Sequence, residues 1–183
     1  MANRARRSGT VRRVSRRIHG ADVKIFRAVF ELRWEPLTPV MRLFTLVGTA
    51  GALWGFLAAV AFVLGGFYVP GLLVPWAAVA GSWILAEASK HLFNRARPHA
   101  SDMGIAPLVK TPSSSSFPSG HSATAASGAI TLSAAYPALT PVFAAIGLAT
   151  MFSRIYLGVH YPSDVLAGAA IGVVCALVLV PLA

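Results

Sequence analysis

Three pieces of sequence between residues 90 and 164 decide the fold: KHLFNRARP at Lys90–Pro98, FPSGH at Phe117–His121 and SRIYLGVHYPSD at Ser153–Asp164. Each adjoins a long apolar segment, where a basic or imidazole side chain carries a solvation cost that a partner must offset. Several such groups fall at segment ends, beside loops, where they can converge on one anion.

The segments around these pieces set the architecture. Leu43–Leu64, Leu72–Ala86, Ser122–Phe152 and Val165–Ala183 contain no charged residue. Of the 183 residues, 56% are hydrophobic and 12% charged, where a soluble domain carries about a quarter charged. A span takes roughly 20 apolar residues, so these blocks are transmembrane candidates. The expectation is an all-α membrane protein with five spans: Val40–Leu64, Pro70–Phe93, Ser119 to just before Pro137, Leu139–Leu157, and Ser163 to the C-terminus. Gly168 and Gly172 form a GxxxG pair, which predicts close helix packing in lipid. The single cysteine, Cys175, leaves neither a disulfide nor a thiolate metal site.

The net charge of +10 raises nucleic acid as a partner. Its distribution argues against one. Arg4, Arg6, Arg7, Arg12, Arg13, Arg16 and Arg17 fall in the first twenty residues with no acid among them. Residues 1–21 therefore read as a disordered basic tail, held on the cytoplasmic side and attracted to anionic lipid headgroups. Over 22–38, Val23, Phe26, Phe30, Trp34 and Leu37 recur at spacings of three and four, with Lys24, Arg27, Glu31 and Glu35 between them. That pattern predicts an amphipathic interfacial helix rather than a span, ahead of a catalytic bundle over 39–183.

With five spans, an even number of crossings puts the 90–118 loop and the 157–163 link on one side of the bilayer. The opposite turns, at Gly65–Pro70 and near Pro137, carry no acidic, basic or imidazole side chain. Lys90 falls on the last turns of the second span and Arg97 just beyond it. A lone cation in such a place is commonly a snorkelling anchor, but Arg97 precedes Pro98 and a rigid turn, which suits a guanidinium positioned for phosphate oxygens. Ser119-Gly120-His121 opens a helix. It reads either as a simple cap or as an anion seat with His121 placed as an acid. Asp164, four residues after His160, suits a carboxylate that fixes one imidazole tautomer and leaves the other nitrogen nucleophilic. Two histidines and one aspartate are too few for a two-metal hydrolase, and HExxH is absent, so metal-independent chemistry without a cofactor is expected.

Lys90…Arg97-Pro98, Pro118-Ser119-Gly120-His121 and Ser153-Arg154…His160…Asp164 resemble the three signature motifs of the type 2 phosphatidic acid phosphatase superfamily. The spacings agree: six residues lie between Lys90 and Arg97, five between Arg154 and His160, three between His160 and Asp164. The resemblance implies that His160 is the nucleophile forming a phosphohistidine. It implies that His121 protonates the leaving oxygen and that Asp164 orients His160. Lys90, Arg97, Arg154, Ser119 and the Gly120 amide would hold the phosphoryl oxygens. The superfamily includes soluble vanadate-dependent haloperoxidases, a branch that this composition excludes.

Membrane members of the superfamily usually have six spans and an extracytoplasmic site. Here the charged segment 22–37 stands where a first span would be. Five spans and an internal tail place the site on the cytoplasmic face of the plasma membrane, with a lipid phosphate entering laterally from the bilayer. The small basic-tailed form is similar to actinobacterial enzymes that remove the 5-phosphate from decaprenylphosphoryl phosphoribose, a step toward cell-wall arabinan. Undecaprenyl pyrophosphate and phosphatidylglycerol phosphate are the alternative substrates, and a lipid-binding or lipid-moving protein without catalysis is the alternative class. Homo-oligomerisation is left open.

Overall fold

The computed structural model describes the backbone of residues 2–101 and 104–182, with side chains from Arg17 onward. The contacts expected of Arg4, Arg6, Arg7, Arg12, Arg13 and Arg16 with lipid headgroups lie outside the described side chains. Among the described residues, seven α-helices follow in order: α1 Ala2–Glu31, α2 Leu37–Val47, α3 Ala52–Leu64, α4 Pro70–Ser89, α5 Gly120–Ala135, α6 Thr140–Tyr156 and α7 Pro162–Leu179.

The fold is all-α, but the five expected spans are not there. Among the described residues, three helical stretches are long and apolar enough to cross a membrane: Pro70–Leu92, Pro137–Tyr156 and Pro162–Leu182. A fourth is reached only if α2 and the stretch Thr49–Leu64, bent by 56° to one another, count as one span. The break has a local cause. Ala50 and Gly51 adopt φ of 50° and 79°, a left-handed turn that an α-helix cannot continue through. The expected straight span Val40–Leu64 is therefore two helices.

The expected third span is the other loss. α5 has 16 residues, about 24 Å of helix at 1.5 Å per residue, short of a hydrocarbon core of about 30 Å. It does not need to be apolar all round, because it is the central helix, packed against α3, α4, α6 and α7. Its hydroxyls are buried and satisfied along its own axis. Ser127 and Thr131 donate to the carbonyls of Thr124 and Ser127, and Ser82 of α4 pairs with Ser127 at 2.8 Å.

Small residues bring α7 against α5 as the GxxxG pair predicts. A Cβ on Gly168 would fall 2.2 Å from the Ser119 carbonyl oxygen, and one on Gly172 would fall 2.2 Å from that of Ala123. On the other side, Trp54 of α3 is fully buried over Gly128 of α5, in a cluster with Ala58, Val79, Leu132 and Phe143.

At the N-terminus, the boundary expected between a tail at 1–21 and a helix at 22–38 is not a break in the chain, since α1 runs through both. The helix ends at Glu31, earlier than expected, and a turn leads into α2. One face of α1 docks on the bundle. His19 and Phe26 each stack edge-on with Tyr161, at ring separations of 5.8 Å, and Phe26 is wholly buried. Ile18 and Ile25 of α1 stay exposed, as do Leu32 and Trp34 in the turn that follows it.

Candidate active site

The end of α4, the start of α5, the end of α6 and the start of α7 meet at one end of the bundle, and every residue singled out in the sequence lies there. Each arrives by a local rule. Ser119 caps α5, its hydroxyl accepting from the Ser122 amide at 3.3 Å, which leaves the first amides of the helix free to face an anion. α6 ends at Tyr156, and just beyond it Gly158 has φ of 82°; this reversal lets the Val159 and His160 amides both return to the Arg154 carbonyl at 3.2 Å. His160 is thereby fixed next to Arg154. Asp164 lies in the first turn of α7, where its Oδ2 accepts from the Tyr161 amide at 2.8 Å.

His160 is 2% exposed. Its Nε2 lies 3.3 Å from Arg97 Nη1 and its Nδ1 lies 3.6 Å from Asp164 Oδ2. A guanidinium can only donate, so Nε2 holds a lone pair and the proton sits on Nδ1, toward Asp164. Burial, then the charges of Arg154, Arg97 and Lys90, push the His160 pKa well below the usual imidazole value. The ring is neutral, with the lone pair on Nε2.

Arg97 is held on all sides. Nε donates to the Ser114 carbonyl and Nη1 to that of Val159, both at 3.1 Å, and Nη2 reaches the Ser115 carbonyl at 3.3 Å. Arg154 donates from Nη1 to Thr45 Oγ1 at 2.8 Å, while its Nε is buried without a partner. A buried unpaired donor on a cation suits an anion that is not yet bound. His121 Nε2 donates to the Thr45 carbonyl at 3.0 Å, so Nδ1 is the nitrogen left to exchange a proton.

Lys90 and Gly120 share an internal anion. Lys90 Nζ lies 2.6 Å from Glu87 Oε1, and a Cβ on Gly120 would come within 2.9 Å of that same oxygen. Glu87 Oε1 therefore lies beside both Lys90 and the first residue of α5. Beside it opens a cavity of about 460 Å³, lined by Trp83, Glu87, Lys90, His91, Ser114 and Ser115.

Five further residues belong to the site and were not foreseen in these roles. Thr45 joins His121 and Arg154 from within an uncharged block that gave no signal. Arg95, two residues before Arg97, donates to Asp164 Oδ1 at 2.6 Å and to Asp22 Oδ2 at 2.6 Å. Ser116 donates to Asp164 Oδ2 at 2.8 Å. Asp22 looked like an ordinary charge on an amphipathic helix, and Glu87 like polarity at a helix end. Among the described residues, no group of three His, Cys, Asp or Glu side chains is placed to hold a metal ion.

One end of the helical bundle thus gathers two histidines, the carboxylates of Asp22, Glu87 and Asp164, and the cations of Lys90, Arg95, Arg97 and Arg154, a set suited to a phosphate-like anion. The chain belongs to the PAP2 superfamily, whose family model matches residues 71–183. It is 38% identical over 98 residues to a lipid A 1-phosphatase of Rhizobium johnstonii, covering 51% of this chain and 40% of that protein. It is 39% identical over 114 residues to the decaprenylphosphoryl-5-phosphoribose phosphatase of Mycobacterium tuberculosis, covering 60% of this chain and 62% of that one. These matches thus span less than two thirds of either relative. In structure, it is similar to a transmembrane PAP2-type phosphatidylglycerolphosphate phosphatase of Bacillus subtilis. The TM-score is 0.72 at 30% identity, over 88% of this chain and 84% of that one.

Proposed function

We propose that this multi-pass membrane protein hydrolyses a polyprenyl-linked lipid phosphate through a phosphohistidine on His160, without a metal ion. The observation that carries the reading is the His160 ring: neutral, buried, its Nε2 lone pair facing Arg97 and its Nδ1 facing Asp164. Nε2 attacks phosphorus. Burial, then the Arg154 charge, hold the His121 pKa down to about 3 in the free protein, so its Nδ1 takes up a proton as the negative substrate phosphate binds beside it. The bond from phosphorus to the leaving oxygen breaks as His121 Nδ1 gives that oxygen this proton. Asp164 stabilises the positive charge that builds on the ring through the Nδ1 proton. Water then attacks the phosphohistidine, His121 takes its proton, and the P–N bond breaks to release phosphate. Lys90, Arg97, Arg154, Ser119 and the Gly120 amide hold the phosphoryl oxygens throughout.

Decaprenylphosphoryl-5-phosphoribose is the specific substrate we favour, on the likeness to the Mycobacterium tuberculosis phosphatase. The substrate enters sideways, through the cavity at Lys90 beside the exposed Trp83, Ile84 and Leu85 of α4. The site faces the cytoplasm. The docking of α1 supports this orientation. The Arg-rich stretch belongs to the same helix that pairs with Arg95 and Tyr161 at the site, so a tail retained inside brings the site with it.

The test is purified protein in nanodiscs, assayed for phosphate release from a phosphoribosyl polyprenyl lipid, a polyprenyl pyrophosphate and a phosphatidylglycerol phosphate. Fastest turnover of the first, abolished by His160→Ala, is the expected result. Faster turnover of phosphatidylglycerol phosphate would favour the activity of the Bacillus subtilis protein instead.

A further inference from the structure

Asp164 has a second carboxylate behind it. Asp22, on α1, is 3% exposed and is saturated with donors. Oδ2 receives Arg95 Nη2 at 2.6 Å and Ser163 Oγ at 2.5 Å, and Oδ1 receives the Ser163 amide at 2.9 Å. Arg95 gives its other terminal nitrogen to Asp164 Oδ1 and lies with its carbon 4.4 Å above the Tyr161 ring. Asp22, Arg95 and Asp164 therefore make one chain of charge that ends at His160 Nδ1. His19, Asp22, Phe26 and Phe30 recur on α1 at spacings of three and four, so the face that docks the helix is the face that carries the carboxylate.

We infer that Asp22 is a positioning residue for the reaction: by sharing Arg95 with Asp164, it sets the orientation and the charge that Asp164 presents to His160. This makes α1, which precedes the region matched by the family model, part of the active site. The inference rests on the reading of His160 as nucleophile.

The physics is a division of charge. One guanidinium between two buried carboxylates leaves the group with a net negative charge, so Asp164 still attracts the Nδ1 proton of His160. Without Asp22 the whole positive charge of Arg95 falls on Asp164, which becomes a weaker partner for a developing imidazolium. The groups that face His160 are then Arg97 from the loop, Lys90 from the end of α4, His121 from α5, Arg154 from α6, and Asp164 from α7 paired with Arg95. The ring loses its main negative support among cations.

The experiment compares full-length wild type, Asp22→Asn, Asp22→Glu, Arg95→Gln and the Asp22→Asn/Arg95→Gln double variant in nanodiscs. In Asp22→Asn, kcat is expected to fall about tenfold with KM nearly unchanged. The acidic limb of kcat/KM moves to lower pH, Asp22→Glu restores part of the rate, and Asp22→Asn adds nothing in the Arg95→Gln background. A fall in kcat with an unmoved acidic limb would reduce Asp22 to a fastener of α1 and overturn the inference. So would wild-type behaviour of Asp22→Asn, or independent addition in the double variant. If wild type releases no phosphate from any lipid, the functional reading falls on its own. The His160 ring ¹⁵N resonances, assigned by their loss in His160→Gln, then decide: a titration lowered in Asp22→Asn supports the positioning role, and an unmoved one ends it.

Discussion

His160 Nδ1 stands 3.6 Å from Asp164 Oδ2, just outside hydrogen-bonding distance, while that oxygen already accepts from Ser116 and the Tyr161 amide. The carboxylate oxygen is held by those two donors, whereas the buried His160 Nδ1 has no hydrogen-bond partner in the free protein. Closing that gap on a bound phosphate is how such a pair tightens toward its transition state. Asp164→Asn keeps the shape but removes the charge that supports an imidazolium. Its kcat should fall about 100- to 10,000-fold, the usual worth of such a group, measured by phosphate release beside an unchanged circular dichroism spectrum.

The lowered pKa of His160 gives a pH signature with a definite sign. Its ordinary value is 6.5 and burial, Arg154, Arg97 and Lys90 all depress it. Since the reacting form is neutral, the acidic limb of kcat/KM should lie below pH 6.5. Lys90→Gln removes one depressing charge and should move that limb upward. The same shift bears on stability. Above pH 6.5 the ring is neutral both folded and unfolded; below it only the unfolded ring gains a proton, so stability drops as pH falls toward the folded value. A thermal midpoint that rose on acidification from pH 6.5 to 5 would contradict this.

Glu87 and a substrate phosphate compete for the same cation. Lys90 Nζ is 2.6 Å from Glu87 Oε1, and the carboxylate also sits against Gly120. Glu87→Gln should therefore strengthen inhibition by inorganic phosphate, by about fivefold, a modest gain because the Glu87 side chain is 37% exposed and partly screened. Inhibition constants at low and high salt measure it, and weaker inhibition in the variant would assign Glu87 to substrate binding instead.

The residues at the site were legible because charge beside apolar helices needs a reason, and Lys90, His121, Arg154 and Asp164 stand at helix ends, with Arg97 and His160 in the adjoining loops. Span number was not legible for a physical reason. Residues 122–135 are uncharged either because they face lipid or because they face other helices, and Ser122, Thr124, Ser127 and Thr131 are all buried against neighbours. Hydropathy alone does not separate those cases. The break at Ala50–Gly51 was hidden likewise, since glycine and alanine fit a straight helix as well as a kink. Asp22 and Arg95 lie 73 residues apart in sequence, and no local pattern joins two opposite charges over that distance.

The contact between α5 and α7 tolerates no side chain at two positions. A methyl group on Gly168 would meet backbone, the Ser119 carbonyl oxygen and carbon at 2.2 and 3.0 Å, so no rotamer change relieves it. Ser119 also donates its amide to the Asp164 carbonyl at 3.0 Å, which ties this crossing to the site. Gly168→Ala should lower stability by about 1–3 kcal/mol and reduce kcat as well, because prying α7 from α5 moves Asp164. Gly81→Ala, at a helix position with open space around it, is the control, expected to retain both the thermal midpoint and the rate.

Thr45 separates the positioning of Arg154 from that of His121. Its carbonyl accepts from His121 Nε2 at 3.0 Å, and its hydroxyl accepts from Arg154 Nη1 at 2.8 Å while pairing with Ser153 at 3.0 Å. Thr45→Val removes the hydroxyl alone and keeps the branched shape and the carbonyl. Losing a hydrogen bond to a charged group costs about 1.5–3 kcal/mol. Expressed in transition-state stabilisation, that is a fall in kcat/KM of roughly 10- to 150-fold. Because His121 keeps its partner, the basic limb of the kcat profile, which reports His121 in the complex with substrate, should hold its place while the plateau drops. A profile shifted on its basic side would mean that Thr45 governs the acid, His121, rather than the cation that holds the phosphoryl group.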